Sequence, residues 1–179
     1  MDKRRGRVKW GPNGTRSKTS ADYWRKPLKW NRDAEKEGKC LKVFCASLAD
    51  VFEYWRGPIV DAKGNDIPTG DWTRNPKTAE KSIPVLSMDD LRRDLFALID
   101  QTPWLDWMLL TKRPENIRRM VGGTFRSNVH LYYSASDQPS LESGIGDLIA
   151  CRDLTPTLGL SLEPLVGEIE LDLFGAQCD

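Results

Sequence analysis

LDWMLLTKRPENIRRMVGGTFRSNVHLYYSASDQ, residues 105–138, decides the fold. It opens on an apolar run, WLDWMLLTKRP (104–114), that Pro114 halts. PENIRRMVGG (114–123) then reads as a short helix, opened by proline and closed by glycine. NVHLYYSAS (128–136) is a second apolar, β-branched and aromatic run. Both runs are apolar nearly throughout, the pattern of strands buried on both faces of a parallel sheet.

The same alternation extends outward. LKVFCAS (41–47) reads as a buried strand, and TLGLSLEPL (157–165) reads as a further strand. SMDDLRRDLFALIDQT (87–102) places Leu91, Leu95, Phe96 and Ile99 on one helical face, with Ser87 or Asp89 near the cap. QPSLESGIGDLIACRD (138–153) reads as a helix carrying two glycines. SADYWRKPLKWNRDAEK (20–36) reads as a helix capped by Ser20 and interrupted at Pro27. The order strand, helix, strand, helix, strand, helix, strand makes this an α/β chain. Four parallel β/α units form half of an eight-stranded barrel or a small open sheet. We read residues 1–179 as one partial (β/α)-barrel domain, with 1–19 a basic N-terminal segment. Residues 54–87 are rich in Gly, Pro, Asn and Asp and read as a long irregular insertion, either a lid or a plain excursion.

Composition narrows the function. The 179 residues carry a net charge of +1, so no whole-protein basic footprint for nucleic acid exists. Residues 1–30 nevertheless hold ten Lys and Arg against Asp2 and Asp22, a local basic stretch able to contact nucleic-acid phosphates. Trp10, Trp24 and Trp30 lie among those charges, and each needs an apolar surface to rest on. No apolar run is long enough to span a bilayer, and no hydrophobic stretch follows the N-terminal charges as in a secretory signal. Cys40, Cys45, Cys151 and Cys178 are too scattered for a disulfide framework, so the expected compartment is the cytoplasm.

In parallel α/β folds, chemistry gathers at the C-terminal ends of the strands. The residues that follow the apolar runs are therefore the candidates for cofactor or substrate binding. They are Ser47 and Asp50, then Thr111, Lys112 and Arg113, then Ser134 and Gln138, and finally Ser161 and Glu163. A Lys-Arg pair released by a strand and fixed by proline can clamp a carboxylate or phosphate. Such hydroxyls also serve as ordinary helix caps, and both readings stand. His130, the one histidine, lies inside a strand, and a Ser/His/Asp triad does not assemble around it. Cys40 and Cys45 lack further ligands nearby, so no metal site is read from spacing. No glycine-rich phosphate loop follows a strand.

Three strings carry a resemblance: RKPLKWNRDAEKEGKCLKVFCASLADVF (25–52), LDWMLLTKRPENI (105–117) and LGLSLEPLVGEIEL (158–171). Together they resemble the phage and prophage protein family labelled gp-thirty-seven/gp-sixty-eight, whose function is unknown. Its members are similar to radical S-adenosylmethionine enzymes, with a three-cysteine motif for a [4Fe–4S] cluster on a β/α barrel. The resemblance implies that Ser47 and Asp50 match a strand-end Ser-x-x-Asp. It further implies that Thr111, Lys112 and Arg113 match a Thr-Lys-Arg-Pro, and that Ser161, Glu163 and Pro164 match a Ser-Leu-Glu-Pro. Ser134 and Gln138 fall in a stretch that departs from the family pattern.

The family's cysteine motif lies upstream of the segment matching residues 1–20, and none of the four cysteines here occupies its positions. The chain is thus expected to be an internal fragment without its own cofactor and inactive alone. The cluster and S-adenosylmethionine are implied for full-length members only. A half barrel also leaves open sheet edges through which copies could associate.

Overall fold

The computed structural model describes residues 14–45, 49–57, 59–70, 73–74 and 81–171. The chain divides into two compact units, one from residues 1–39 and 54–102 and the other from residues 40–53 and 103–179.

The second unit is built on one parallel sheet. Its strands are β2 (Leu41–Cys45), β6 (Leu105–Thr111), β7 (Val129–Ser134) and β8 (Thr157–Ser161), in the spatial order β2-β6-β7-β8. Neighbours in space are thus successive strands of this unit, all parallel. Such one-directional winding is the arrangement expected of β/α units. Four strands form an open sheet, and no closed barrel is present among the described residues.

Residues of odd number on β6 and β7 form the buried face. Leu105, Trp107 and Leu109 lie on it beside Val129, Leu131 and Tyr133. Met108, Leu110, His130 and Tyr132 occupy the other face and are only half-buried. A 3-10 turn (Pro114–Asn116) and α3 (Ile117–Met120) connect β6 to β7. The expected glycine stop is displaced: Val121 ends α3, and its amide bonds back to Ile117.

The helix α4 (Gln138–Ile149) follows β7. Asp137 caps it in a reciprocal box with Ser140. It lies so close to β7 that a Cβ on Gly144 would fall 2.4 Å from the Tyr133 ring. Arg118 on α3 donates to the terminal carbonyl of Ala150 and to Asp153, satisfying the C-terminal end of α4.

β2 corrects an expectation. It is an edge strand rather than a buried one, with Leu41 and Phe44 exposed. Among the described residues β2 and β8 end the sheet, and a local apolar run does not reveal which strands will do so.

The first unit has less regular structure. β1 (Arg16–Ser17) pairs in parallel with β3 (Ile59–Val60), and β4 (Thr73–Arg74) pairs antiparallel with β5 (Lys81–Ser82). The 54–87 stretch therefore contains short strands and isolated bridges but no long element among its described residues. Two helices supply the rest. α1 (Ala21–Glu37) is capped by Ser20 and stopped by Gly38, whose left-handed φ of 65° suits glycine. It runs unbroken through Pro27, against the expected interruption. Pro27 removes one amide, but it does so in the second turn, where the ring is buried.

α2 (Met88–Asp100) begins at Ser87, not Asp89, in a capping box with Asp90. Leu98 and Ile99 are buried on it with Leu86 just before it. Among the described residues no helix is long and apolar enough to cross a membrane.

Candidate functional site

The C-terminal edge of the parallel sheet is organised by a carboxylate. Asp50 lies beyond β2 and is largely buried. Its Oδ1 accepts the Thr111 hydroxyl at 2.7 Å and its own loop's Phe52 amide at 3.0 Å. Its Oδ2 accepts the Lys112 amide at 3.0 Å and Arg113 Nη1 at 2.9 Å. One side chain thus ties the loop after β2 to the loop after β6. Thr111 continues the chain of bonds, since its Oγ1 accepts the Arg113 amide at 2.9 Å.

The Arg113 guanidinium is shared. Besides Asp50 it meets Glu53 Oε1 at 3.4 Å. Asn116, in the turn opened by Pro114, donates to the Phe52 carbonyl at 3.1 Å and closes the same corner. Neither Glu53 nor Asn116 was among the residues singled out from sequence. The signal was available, because Glu53 stands three residues after Asp50 and Asn116 three after Arg113.

The expected Lys-Arg clamp therefore divides. Arg113 is held by two carboxylates of the protein itself. Lys112 is anchored only by its amide, and its side chain is exposed.

The next two strands end at the same level. Thr111 is in register with Tyr133, and Ser134 with Ser161. Lys112 is the first residue beyond β6, and Ser134 and Ser161 are paired at the ends of β7 and β8, strands about 5 Å apart. Ser134 is buried and its hydroxyl lies 3.5 Å from the Glu163 carbonyl. Ser161 is half-buried, and its carbonyl accepts the Ala135 amide at 3.1 Å.

Glu163 is exposed and precedes a cis peptide bond to Pro164. Gln138 uses Oε1 to accept the Glu170 amide at 2.9 Å and Nε2 to donate to Glu142 at 2.8 Å. It serves to pin the segment after β8 against the start of α4. Ser47 lies outside the described residues.

His130 stands on the half-buried sheet face two residues before Tyr132, as read from the sequence. Its Nε2 is 3.9 Å from Asp106, and its Nδ1 is buried without a hydrogen-bond partner. It belongs to the body of the sheet rather than to the strand ends.

The cysteines do not converge. Cys40 is exposed; Cys45 sits on β2, where burial pushes its thiol up to about 12. Cys151 is buried at the end of α4, its thiol also raised by desolvation. Cys178 lies outside the described residues. Among the described residues no group of three or more His, Cys, Asp or Glu could hold a metal ion, so these residues do not fit a three-thiolate cluster site.

Of the basic N-terminal stretch, residues 1–13 lie outside the described set. Arg16 stacks on Trp55, 4.5 Å from the ring centre. Lys18 lies between the Trp24 ring and Asp94.

A family model described as "Protein of unknown function (DUF5131)" matches residues 81–177, more than half of the chain. That span holds Thr111, Lys112, Arg113, Ser134, Gln138, Ser161 and Glu163, and it excludes Asp50. No curated protein and no solved structure matches the chain.

Proposed function

The chain belongs to that uncharacterised family, and from this premise we propose that it is a ligand-binding β/α module. Its four β/α units are wound as in half of a barrel. It holds a small carboxylate- or phosphate-bearing molecule over the C-terminal edge of the sheet. The setting is a phage- or prophage-type protein similar to radical S-adenosylmethionine enzymes.

The observation that carries the reading is the division of labour at that edge. Asp50 consumes the backbone and guanidinium donors of the β6 loop, which fixes the loop. The Lys112 side chain is left exposed at the edge where Ser134 and Ser161 end the next two strands. A fixed backbone under an exposed ammonium, at an edge where hydroxyls end the next two strands, suits an anionic group. Because the described cysteines do not fit a cluster, no reductive step is assigned to these residues. Binding is the activity of this edge.

The test is a calorimetric titration with S-adenosylmethionine and S-adenosylhomocysteine, the probes that the resemblance suggests. Binding should weaken about tenfold or more in Lys112→Ala, the loss of one charged hydrogen bond. Absence of binding at millimolar ligand, or equal affinity in Lys112→Ala, would remove the proposal.

A further inference from the structure

The helices of the second unit gather on one side of its sheet. α4 lies against β7 at Tyr133, where a Cβ on Gly144 would meet the ring. Arg118 of α3 bonds to the Ala150 carbonyl at the end of α4, which sets α3 on the same side. Tyr133 belongs to the buried, odd-numbered face. The opposite face carries neither helix.

That opposite face is nevertheless mostly apolar. Phe44 and Met108 stand in register on it, as do Leu110 and Tyr132. Phe44 is 46% exposed. The Tyr132 ring lies across β8, where a Cβ on Gly159 would fall 2.4 Å from it. His130 interrupts the apolar surface, with its Nε2 3.9 Å from Asp106.

An all-parallel sheet occurs almost only with both faces covered. A doubly wound sheet achieves this by reversing its winding and placing helices on both sides. Here the order β2-β6-β7-β8 runs one way without reversal, and α3 and α4 share a side. A sheet wound in this manner covers its second face by closing on itself. Eight strands give an interior that side chains just fill, and this sheet supplies four.

The two edges fit the same outcome. Among the described residues no strand pairs with the outer side of β2 or of β8. The Leu41 amide bonds toward β6, to the Trp104 carbonyl at 3.1 Å. By alternation, the backbone groups of Lys42 and Phe44 point to the open side. β8, TLGLS, holds neither charge nor proline, the usual guards of an edge. The segment after β8 turns back toward β7, where the Val166 amide donates to the Ser136 carbonyl at 2.8 Å. The winding lacks a strand laid along β2 in the sheet's own direction, and β8 of a second copy is such a strand. A two-fold axis repeats the contact at the other edge, so assembly stops at two copies.

We propose that two copies of the chain close into one eight-stranded parallel barrel, the β2 edge of each paired with the β8 edge of the other. The faces bearing Phe44, Met108, Leu110 and Tyr132 become its interior. The C-terminal strand ends of both copies then share one rim. The pairing does not depend on a ligand at those ends.

Sedimentation equilibrium of the full chain, from low to high micromolar concentration, should reach a mass twice the 20.4 kDa of one copy. Lys42→Pro removes an amide that points outward, and Phe44→Lys puts a charge in the interior. Each should raise the dissociation constant about tenfold or more. Ile149→Lys, at an exposed position of α4, should leave it unchanged. Circular dichroism of each variant shows whether it folds.

A cross-link tests the pairing of edges without relying on those variants. In a Cys40→Ser, Cys178→Ser background, a Lys42→Cys chain mixed with a Thr157→Cys chain should be joined by a short bismaleimide. Neither chain should couple to itself. The proposal falls if the chain stays monomeric at the highest concentration, or if association continues beyond two copies. It falls equally if the dimer survives both folded variants, if the mixed chains are not joined, or if the Lys42→Cys chain couples to itself.

Discussion

The Thr111 hydroxyl donates to the Asp50 carboxylate at 2.7 Å, a bond that joins positions sixty-one residues apart. Every other donor around Asp50 comes from the same two loops. The pair is the point at which the C-terminal sheet edge is fixed. Asp50→Ala should lower stability by about 2–4 kcal/mol, because the buried Thr111 hydroxyl loses its acceptor and the Arg113 guanidinium loses one of its two carboxylates. Thr111→Val should cost about 1 kcal/mol. Urea unfolding of the double variant should show a cost below the sum by about 1 kcal/mol, as expected for groups in one network. Strict additivity would contradict this coupling.

The start of α2 provides a pH-dependent contribution. The Ser87 hydroxyl donates to Asp90 at 2.7 Å and its amide does so at 3.0 Å, which holds the Asp90 carboxyl below the ordinary carboxylate range. A group whose pKa is lower folded than unfolded stabilises the fold above the unfolded value. That stabilisation is lost as pH falls from about 4 through the folded value. Ser87→Ala should cost about 1 kcal/mol near neutrality. The stability difference between the parent and Asp90→Asn should shrink below pH 4. A difference that grows on acidification would have the wrong sign.

Two glycines of α4 should respond in opposite directions to the same change. A Cβ at Gly144 would lie 2.4 Å from the buried Tyr133 ring, so Gly144→Ala should cost about 1–3 kcal/mol in thermal or urea unfolding. Gly146 has open space where its Cβ would go. Gly146→Ala should therefore stabilise by about 0.5–1 kcal/mol, since alanine is the better helix former. Equal effects at the two positions would show that α4 does not lie on β7 as described.

The cysteines should separate by reactivity. Thiol reagents act on the thiolate. Burial pushes Cys45 up to about 12 and raises Cys151, while Cys40 is exposed. In a Cys178→Ser background, alkylation at pH 8 followed by mass spectrometry should label Cys40 first. Half-buried Cys45 should react slowly, and buried Cys151 only as the chain opens. Labelling of Cys45 as fast as Cys40 would contradict its raised thiol.

Much of the parallel sheet was legible because it rests on local signals. The apolar runs of β6, β7 and β8 end at Thr111, Ser134 and Ser161, where hydroxyls replace apolar side chains. Caps were legible for the same reason, as at Ser20 and Ser87. The exposure of Phe44 was not, since an edge strand is defined by its neighbours and not by its own residues. Pro27 misled because its cost is local while its burial is tertiary.

At the strand ends, sequence pointed to Lys112 and Arg113 as one clamp. Only the long-range position of Asp50 and Glu53 separates them, giving Arg113 to the protein and leaving Lys112 exposed. No periodicity within the Thr-Lys-Arg-Pro string carries that information.

The most direct test of the strand-edge account is a map of backbone amide resonances as S-adenosylhomocysteine is added. The account predicts shifts concentrated at Lys112, Ser134 and Ser161, and their loss in Lys112→Ala. Shifts confined to other parts of the chain, or none at millimolar ligand, would contradict it.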